Sequence, residues 1–166
     1  MRIGQGVDVH AFDPRADRPL CLGGITIAGA PPLAGHSDGD VALHALTDAL
    51  LGAAGLGDLG GFVGVDDPAV SGAASRGFLV DAAAAVARQG WRVANGDLTI
   101  VAQRPRLAAH LPAMRTAIAD ALGLPESAVN VKATSTDRLG FLGRGEGIAA
   151  LAVVLLSPAG EGAPSA

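Results

Sequence analysis

The sequence predicts a single small α/β (α+β) domain, and three observations lead there. Segments of strand and helix periodicity alternate along the chain around one sheet, with three main helices. The 166 residues are 49% hydrophobic and 17% charged, enough to bury one core. Glycines fall where helices stop and strands turn, with no internal repeat and no linker between units.

The elements follow in order. Residues 2–12 read as a strand through Ile3, Val7 and Val9, with Gly4 and Gly6 marking a bulge or a close backbone approach. Residues 13–19 hold Pro14, Pro19 and four charges, and form a loop. Leu20–Leu22 and Ile25–Ile27 flank Gly23-Gly24, a hairpin signal. A Gly- and Pro-rich loop over 29–39 leads into a helix from Gly39 or Asp40 to Ala54, ended by Gly55 and Gly57. Residues 55–72 form an acidic, glycine-rich loop. A helix spans Ala74 to Gln89, and Gly90 stops it. Residues 91–103 form a strand, 107–122 a helix capped by Gly123, and 129–135 a strand. A loop with four glycines covers 136–147. Residues 148–156 form a continuous apolar strand, central or at an interface. The domain is expected to span 1–156, with 157–166 a flexible tail.

Composition excludes several functions. The net charge of −4 leaves no basic footprint for nucleic acid. Cys21 lies in an apolar run and reads as a small core residue; one cysteine cannot form an intrachain disulfide, which fits a reducing compartment. The N-terminus carries no apolar signal segment, and the run 148–156 is far shorter than the ~20 residues a spanning helix needs. A cytoplasmic protein without membrane or nucleic-acid partners is expected.

Three constellations carry chemistry. Asp8 and His10 lie two apart on a strand, so a carboxylate and an imidazole project from one face, a pair suited to zinc or a similar metal. Asp40, His44 and Asp48 lie four apart on one stripe of a helix whose other residues are nearly all apolar. Polar groups on a buried helix need partners, and a metal is a natural one for His44. A carboxylate can orient its second ring nitrogen; Asp40 and Asp48 both qualify, and spacing does not choose between them. Asp8, His10 and His44 together make three ligands with one open position, the pattern of a catalytic site. His36, beside Ser37 and Asp38, sits at the mouth of the helix, where an anion is favoured. The third constellation is Lys132-Ala133-Thr134-Ser135-Thr136-Asp137 followed by Gly140 to Gly147. Its hydroxyls, lysine and Arg144 suit phosphate oxygens, and Asp137 suits a hard cation bridging them.

These residues resemble the 2-C-methyl-D-erythritol 2,4-cyclodiphosphate synthase family of the non-mevalonate isoprenoid pathway. The resemblance runs from Arg2 to about Leu156. It is strongest over Arg2 to His10, His36 to Leu59, and Gly140 to Gly147. It implies a mixed sheet with helices packed on one side, assembled as a homotrimer with active sites between subunits. It implies a reaction in which the 2-phosphate of 4-diphosphocytidyl-2-C-methyl-D-erythritol 2-phosphate attacks its own β-phosphorus, releasing CMP and a cyclic diphosphate. That accounts for the lack of a Ser-His-Asp or Cys-His arrangement, since the substrate brings its nucleophile.

Roles carry over by position. Asp8, His10 and His44 match ligands of a zinc or other divalent ion. His36 and Ser135 match the pair that stabilises the transition state. Ser37, Asp58, Leu59 and Gly60 match contacts to the methylerythritol phosphate, and Asp67 matches a substrate contact in the loop that follows. Ala102, Pro105, Arg106, Leu107 and Ala108 match the loop around the cytidine. Thr134, Ser135 and Thr136 match the diphosphate site, with Asp137 at a second cation, magnesium or manganese. Phe141 and Arg144 match further substrate contacts. Three places depart from the family pattern: Val63-Gly64-Val65-Asp66-Asp67 replaces a usual Phe-Pro-Asp-Thr-Asp, Ser135 replaces Thr, and Asp137 replaces Glu. The same ligands also suit a metal-dependent phosphodiesterase, and the altered loop suits a non-catalytic trimeric scaffold.

Overall fold

The computed structural model describes residues 1–64 and 72–160. Four strands form one sheet: β1 (Arg2–Ala11), β4 (Trp91–Val101), β5 (Val129–Thr134) and β6 (Gly147–Pro158), in the order β1-β6-β4-β5. β6 pairs antiparallel with β1 and with β4, and β4 pairs parallel with β5, so the sheet is mixed as expected. The parallel pair requires a crossover, supplied by α4 (Leu111–Leu122). β2 (Leu20–Leu22) and β3 (Ile25–Ile27) make a separate hairpin. Its turn places Gly23 and Gly24 at φ of 62° and 80°, a backbone few other residues adopt.

α1 (Val41–Ala54) packs on the sheet over β1 and β6 and against α3 (Ser75–Arg88). Among its residues only Asp48 and Gly52 are not buried, as its nearly all-apolar sequence requires. Its approach to β1 is backbone on backbone. A Cβ built on Gly4 would lie 1.9 Å from the Ala49 carbonyl oxygen, and one on Gly6 1.9 Å from that of Ala45. These two glycines serve close approach, one of the two roles open to them in the sequence. Asp40 caps the helix: one carboxylate oxygen accepts N–H bonds from Ala42, Leu43 and Gly23 at 3.1, 3.1 and 2.9 Å, and the other accepts from Gly24 at 2.7 Å. The cap and the β2–β3 turn are therefore one construction.

The helices cover one face of the sheet. The other carries Ile3, Val7, Val9, Leu151 and Val153, exposed by 37–73%. Across β4 and β5 that open face turns polar, where Lys132 pairs with Asp97.

The boundaries differ from expectation in four places. The loops predicted over 55–72 and 136–147 contain short helices, α2 (Leu59–Val63) and α5 (Gly140–Gly143). Periodicity cannot reveal helices of five and four residues. α4 begins at Leu111, not near 107, because residues 107–110 form a turn closed by His110 N–H donating to the Leu107 carbonyl at 2.8 Å. Pro112, without an N–H, then occupies the first turn of the helix, where none is needed. β6 continues two residues past Leu156, to Pro158.

The β1–α1 contact is open to test. Gly6→Ala places a methyl against the Ala45 carbonyl and should lower unfolding free energy by on the order of 3 kcal/mol in urea titration. Gly52→Ala, on the exposed side of the same helix with open space at its Cβ, should raise it slightly. A Gly6→Ala protein as stable as wild type would show that the helix can recede from the strand.

Candidate active site

β1 alternates, so Gly4, Gly6, Asp8 and His10 face α1 while Ile3, Val7 and Val9 face away. Because the two glycines let α1 settle onto the strand, His44 arrives beside Asp8 and His10. The Asp8 Oδ2 atom lies 2.9 Å from His10 Nε2 and 3.1 Å from His44 Nδ1. The two imidazole rings are 5.2 Å apart and tilted by 56°. Asp8, His10 and His44 are the one group of three or more such side chains among the described residues placed to share a metal ion.

The second nitrogen of each ring decides what the first can do. His10 Nδ1 donates to the Ala34 carbonyl, which leaves Nε2 with its lone pair toward Asp8. Gly35 closes over this ring; a Cβ there would sit 3.2 Å from His10 Cε1. His44 Nε2 lies 2.8 Å from Ser75 Oγ and 3.1 Å from Ser37 Oγ. Ser75 Oγ in turn donates to Asp38 Oδ1, and the Ser75 N–H donates to Asp38 Oδ2 at 3.1 Å. A hydroxyl that gives its proton to a carboxylate can only accept from the ring, so His44 Nε2 carries hydrogen and Nδ1 is bare. Two imidazole lone pairs and a carboxylate oxygen thus converge, and among the described residues no donor lies between them. Such a place calls for a proton or a cation, and the three atoms are spaced for a small divalent ion with ~2.0–2.2 Å bonds.

Without a metal, protons take that role. Burial opposes charge on Asp8, but hydrogen bonds and charge from His10 and His44 outweigh it and hold the carboxyl well below its ordinary range. Burial likewise opposes charge on His10, but Asp8 and the Ala34 carbonyl raise its pKa above the ordinary histidine value. A metal entering here displaces the His10 proton, so its apparent affinity rises with pH through the His10 titration.

The residues expected to orient His44 do other work. Asp40 is the helix cap, and burial pushes its carboxyl up against the pull of its four N–H partners. Asp48 accepts the Leu59 N–H at 2.7 Å and so anchors α2. The sequence reading missed Ser75, 38 residues from Ser37, and the part played by Asp38. Two carboxylates two apart before a helix offered one signal, because only one can be the cap. Nothing local pointed to Ser75.

A cleft of about 280 Å³ opens beside the triad, lined by Gly35, His36, Ser37, Asp48, Leu59, Gly60 and Val63 together with Asp8, His10 and His44. His36 is exposed in it, and Ser37 is buried with its hydroxyl toward His44. Asp58 stands at its edge as the cap of α2, accepting from Gly61 N–H at 2.8 Å. Asp67 lies outside the described residues, as do the last three positions of the altered loop.

A second cleft, of about 420 Å³, gathers Ala102, Pro105, Arg106, Leu107, Ala108, Thr134 and Ser135. His36 and Ser135 thus line different clefts of one chain. Thr136, Asp137, Phe141 and Arg144 follow on the loop and α5 and line neither. Asp137 takes a φ of 50° and holds Ser135 Oγ twice, its main-chain N–H donating to that oxygen at 3.2 Å and its Oδ1 accepting from it at 3.3 Å. Arg144 pairs with Glu146 at 2.6 Å. Lys132, grouped with the phosphate-type residues by sequence, points to the open face and lines neither cleft.

The chain is 56% identical over 156 residues to the 2-C-methyl-D-erythritol 2,4-cyclodiphosphate synthase of Erwinia tasmaniensis, covering 94% of this chain and 98% of that one. A solved structure of a 2C-methyl-D-erythritol-2,4-cyclodiphosphate synthase in a CDP-bound form superposes with a TM-score of 0.85 at 36% identity, covering 94% of this chain and all of the other. The bifunctional IspDF of Campylobacter jejuni gives a TM-score of 0.90 at 44% identity; 95% of this chain matches 42% of that longer one. The model of the YgbB family matches residues 1–157, and the chain belongs to that family.

Proposed function

We propose that this protein is a lyase that converts 4-diphosphocytidyl-2-C-methyl-D-erythritol 2-phosphate into 2-C-methyl-D-erythritol 2,4-cyclodiphosphate and CMP. The observation that carries the reading is the convergence of Asp8, His10 and His44 in a cleft with His36, in a chain so similar to synthases of that name. An oxygen of the 2-phosphate forms a bond to the β-phosphorus. The bond from that phosphorus to the oxygen bridging to the α-phosphorus breaks, and CMP carries the electron pair away. No water is consumed.

Asp8, His10 and His44 hold a divalent cation, zinc by the donor set, and Asp137 serves a second, magnesium or manganese. When bound, such cations neutralise and polarise phosphate oxygens. The chain's own residues position the reactants. His36, exposed beside the triad, hydrogen-bonds developing charge, as does Ser135 from the other cleft. Asp58, Leu59 and Gly60, held by Asp48, line the place for the methylerythritol phosphate, with Ser37 and Asp67 adding contacts. Ala102 and Pro105 to Ala108 surround the base, and Thr134, Thr136, Phe141 and Arg144 take the diphosphate side.

A homotrimer with active sites between subunits accounts for two features at once. The open face carries an apolar patch on β1 and β6 that water would leave uncovered. His36 and Ser135 lie in separate clefts, which a neighbouring copy can bring together. The lone cysteine fits a cytoplasmic setting, and among the described residues no helix is long and apolar enough to cross a membrane.

Phosphorus NMR of the protein with substrate, zinc and magnesium should show CMP and a cyclic diphosphate appearing together. CMP with a linear product would instead mark a phosphodiesterase, and no turnover with zinc bound would mark a scaffold. His44→Ala should lose bound zinc by elemental analysis and at least 100-fold in kcat; turnover without metal would remove the triad from the reaction. Leu151→Glu, on the open face, should convert a trimer to monomers in light scattering, whereas a trimer that persists would place the interface elsewhere.

A further inference from the structure

The chain Asp38–Ser75–His44 serves no role in the reaction as proposed. It is built from buried groups: Ser75 is fully buried, His44 is 8% exposed, and Asp38 is half-buried. Ser75 is the first residue of α3, yet its hydroxyl caps nothing in that helix. Instead it bridges α1 to the loop that carries Asp38. Both Asp38 oxygens are committed as acceptors, one to Ser75 Oγ and the Asp40 N–H at 3.2 Å, the other to the Ser75 N–H. The Asp38 main chain is fixed as well, its N–H bonded to the Ala73 carbonyl at 3.0 Å and its own carbonyl accepting from Arg18. A carboxylate so held has no freedom to let the Ser75 hydroxyl turn round.

We propose that Asp38 and Ser75 are positioning residues for the metal site, fixing His44 in the tautomer whose Nδ1 is free to ligate. The inference rests on the divalent-metal reading of Asp8, His10 and His44. The alternative tautomer, with hydrogen on Nδ1, would donate to Asp8 Oδ2 across the existing 3.1 Å gap. It would satisfy both residues internally and close the site to a cation. Asp38 excludes that state by claiming the serine proton. His10 is fixed by a main-chain carbonyl, which no side-chain substitution removes; His44 depends on Ser75, with Ser37 as a longer contact.

Two variants test this, neither altering a ligand. Ser75→Ala removes the acceptor. Asp38→Asn lets an amide N–H donate to Ser75 Oγ, turning the hydroxyl toward His44 Nε2 and favouring hydrogen on Nδ1. Zinc affinity by chelator competition should fall about 10- to 100-fold in each, the range for loss of a ligand's orienting partner. The double variant should fall no further than the weaker single one, because both act through one chain of bonds. Nitrogen-15 NMR of metal-free protein should show His44 with hydrogen on Nε2 in wild type and a shift toward Nδ1–H in Asp38→Asn. Unchanged affinity and unchanged tautomer in both folded variants would overturn the inference. Loss of fold in both, seen by circular dichroism, would also overturn it and assign the pair to the scaffold. A wild-type protein that binds no zinc would instead overturn the metal reading itself.

Discussion

Everything at the candidate site depends on how closely α1 lies against β1. Two carbonyl oxygens of the helix occupy the space that side chains at Gly4 and Gly6 would fill. A helix held off by even one methyl on each glycine would carry His44 away from Asp8. The same contact buries the apolar surface of α1 and aligns its His44 with strand positions 8 and 10. Packing and ligand geometry here are one constraint, because protein interiors repack in discrete steps and do not stretch. The cap supports it from below: Asp40 ties the first turn of α1 to the β2–β3 hairpin, so the helix can neither slide nor rotate without breaking buried hydrogen bonds.

The polar groups of this region divide into those that hold the frame and those that face the cleft. Asp40 and Asp48 sit on the same stripe as His44 but spend their oxygens on backbone N–H groups. Asp38 and Ser75 spend theirs on each other and on His44. That leaves Asp8, His10 and His44 with electron pairs toward one point, and His36 exposed nearby. A half-buried convergence of acceptors is unfavourable in an empty protein and favourable around a cation. The cost of assembling it is met by the surrounding hydrogen bonds.

Most of this was legible in the sequence, for identifiable reasons. Strand alternation put Asp8 and His10 on one face, and helical spacing put His44 on a buried stripe. The long elements came out within a few residues because their periodicity persists over several turns. What was not legible has a common cause. Ser75 meets His44 across a separation of 31 residues, and Asp48 meets Leu59 across 11, through loops whose path no local pattern encodes. Spacing offered Asp40 and Asp48 as partners for His44 because it records which residues share a helix face, not which nitrogen a neighbouring helix end will meet. Lys132 was grouped with its sequence neighbours, while the period of two sent it to the opposite face from Ala133.

The two clefts share one end of the sheet. β1, β4 and β5 all run in the same direction, since each is either antiparallel to β6 or parallel to a strand that is. Their carboxyl ends therefore deliver Asp8 and His10, then Ala102 and the loop to Ala108, then Thr134 and Ser135. This is where open sheets with parallel-running strands place their ligands, because loops there can vary without disturbing the strands. Asp8 and Ala133 lie on one row through Ala150 and Ile100, three strand spacings or about 14 Å apart. The two residues between are apolar and fully buried. The chain thus separates the cleft beside Asp8, His10 and His44 from its serine- and threonine-bearing one by a solid stretch of core. Any reaction that uses both has to bridge that stretch around the rim or draw the second cleft from another copy. The apolar patch on β1 and β6 supports the second route, the one the proposed trimer takes.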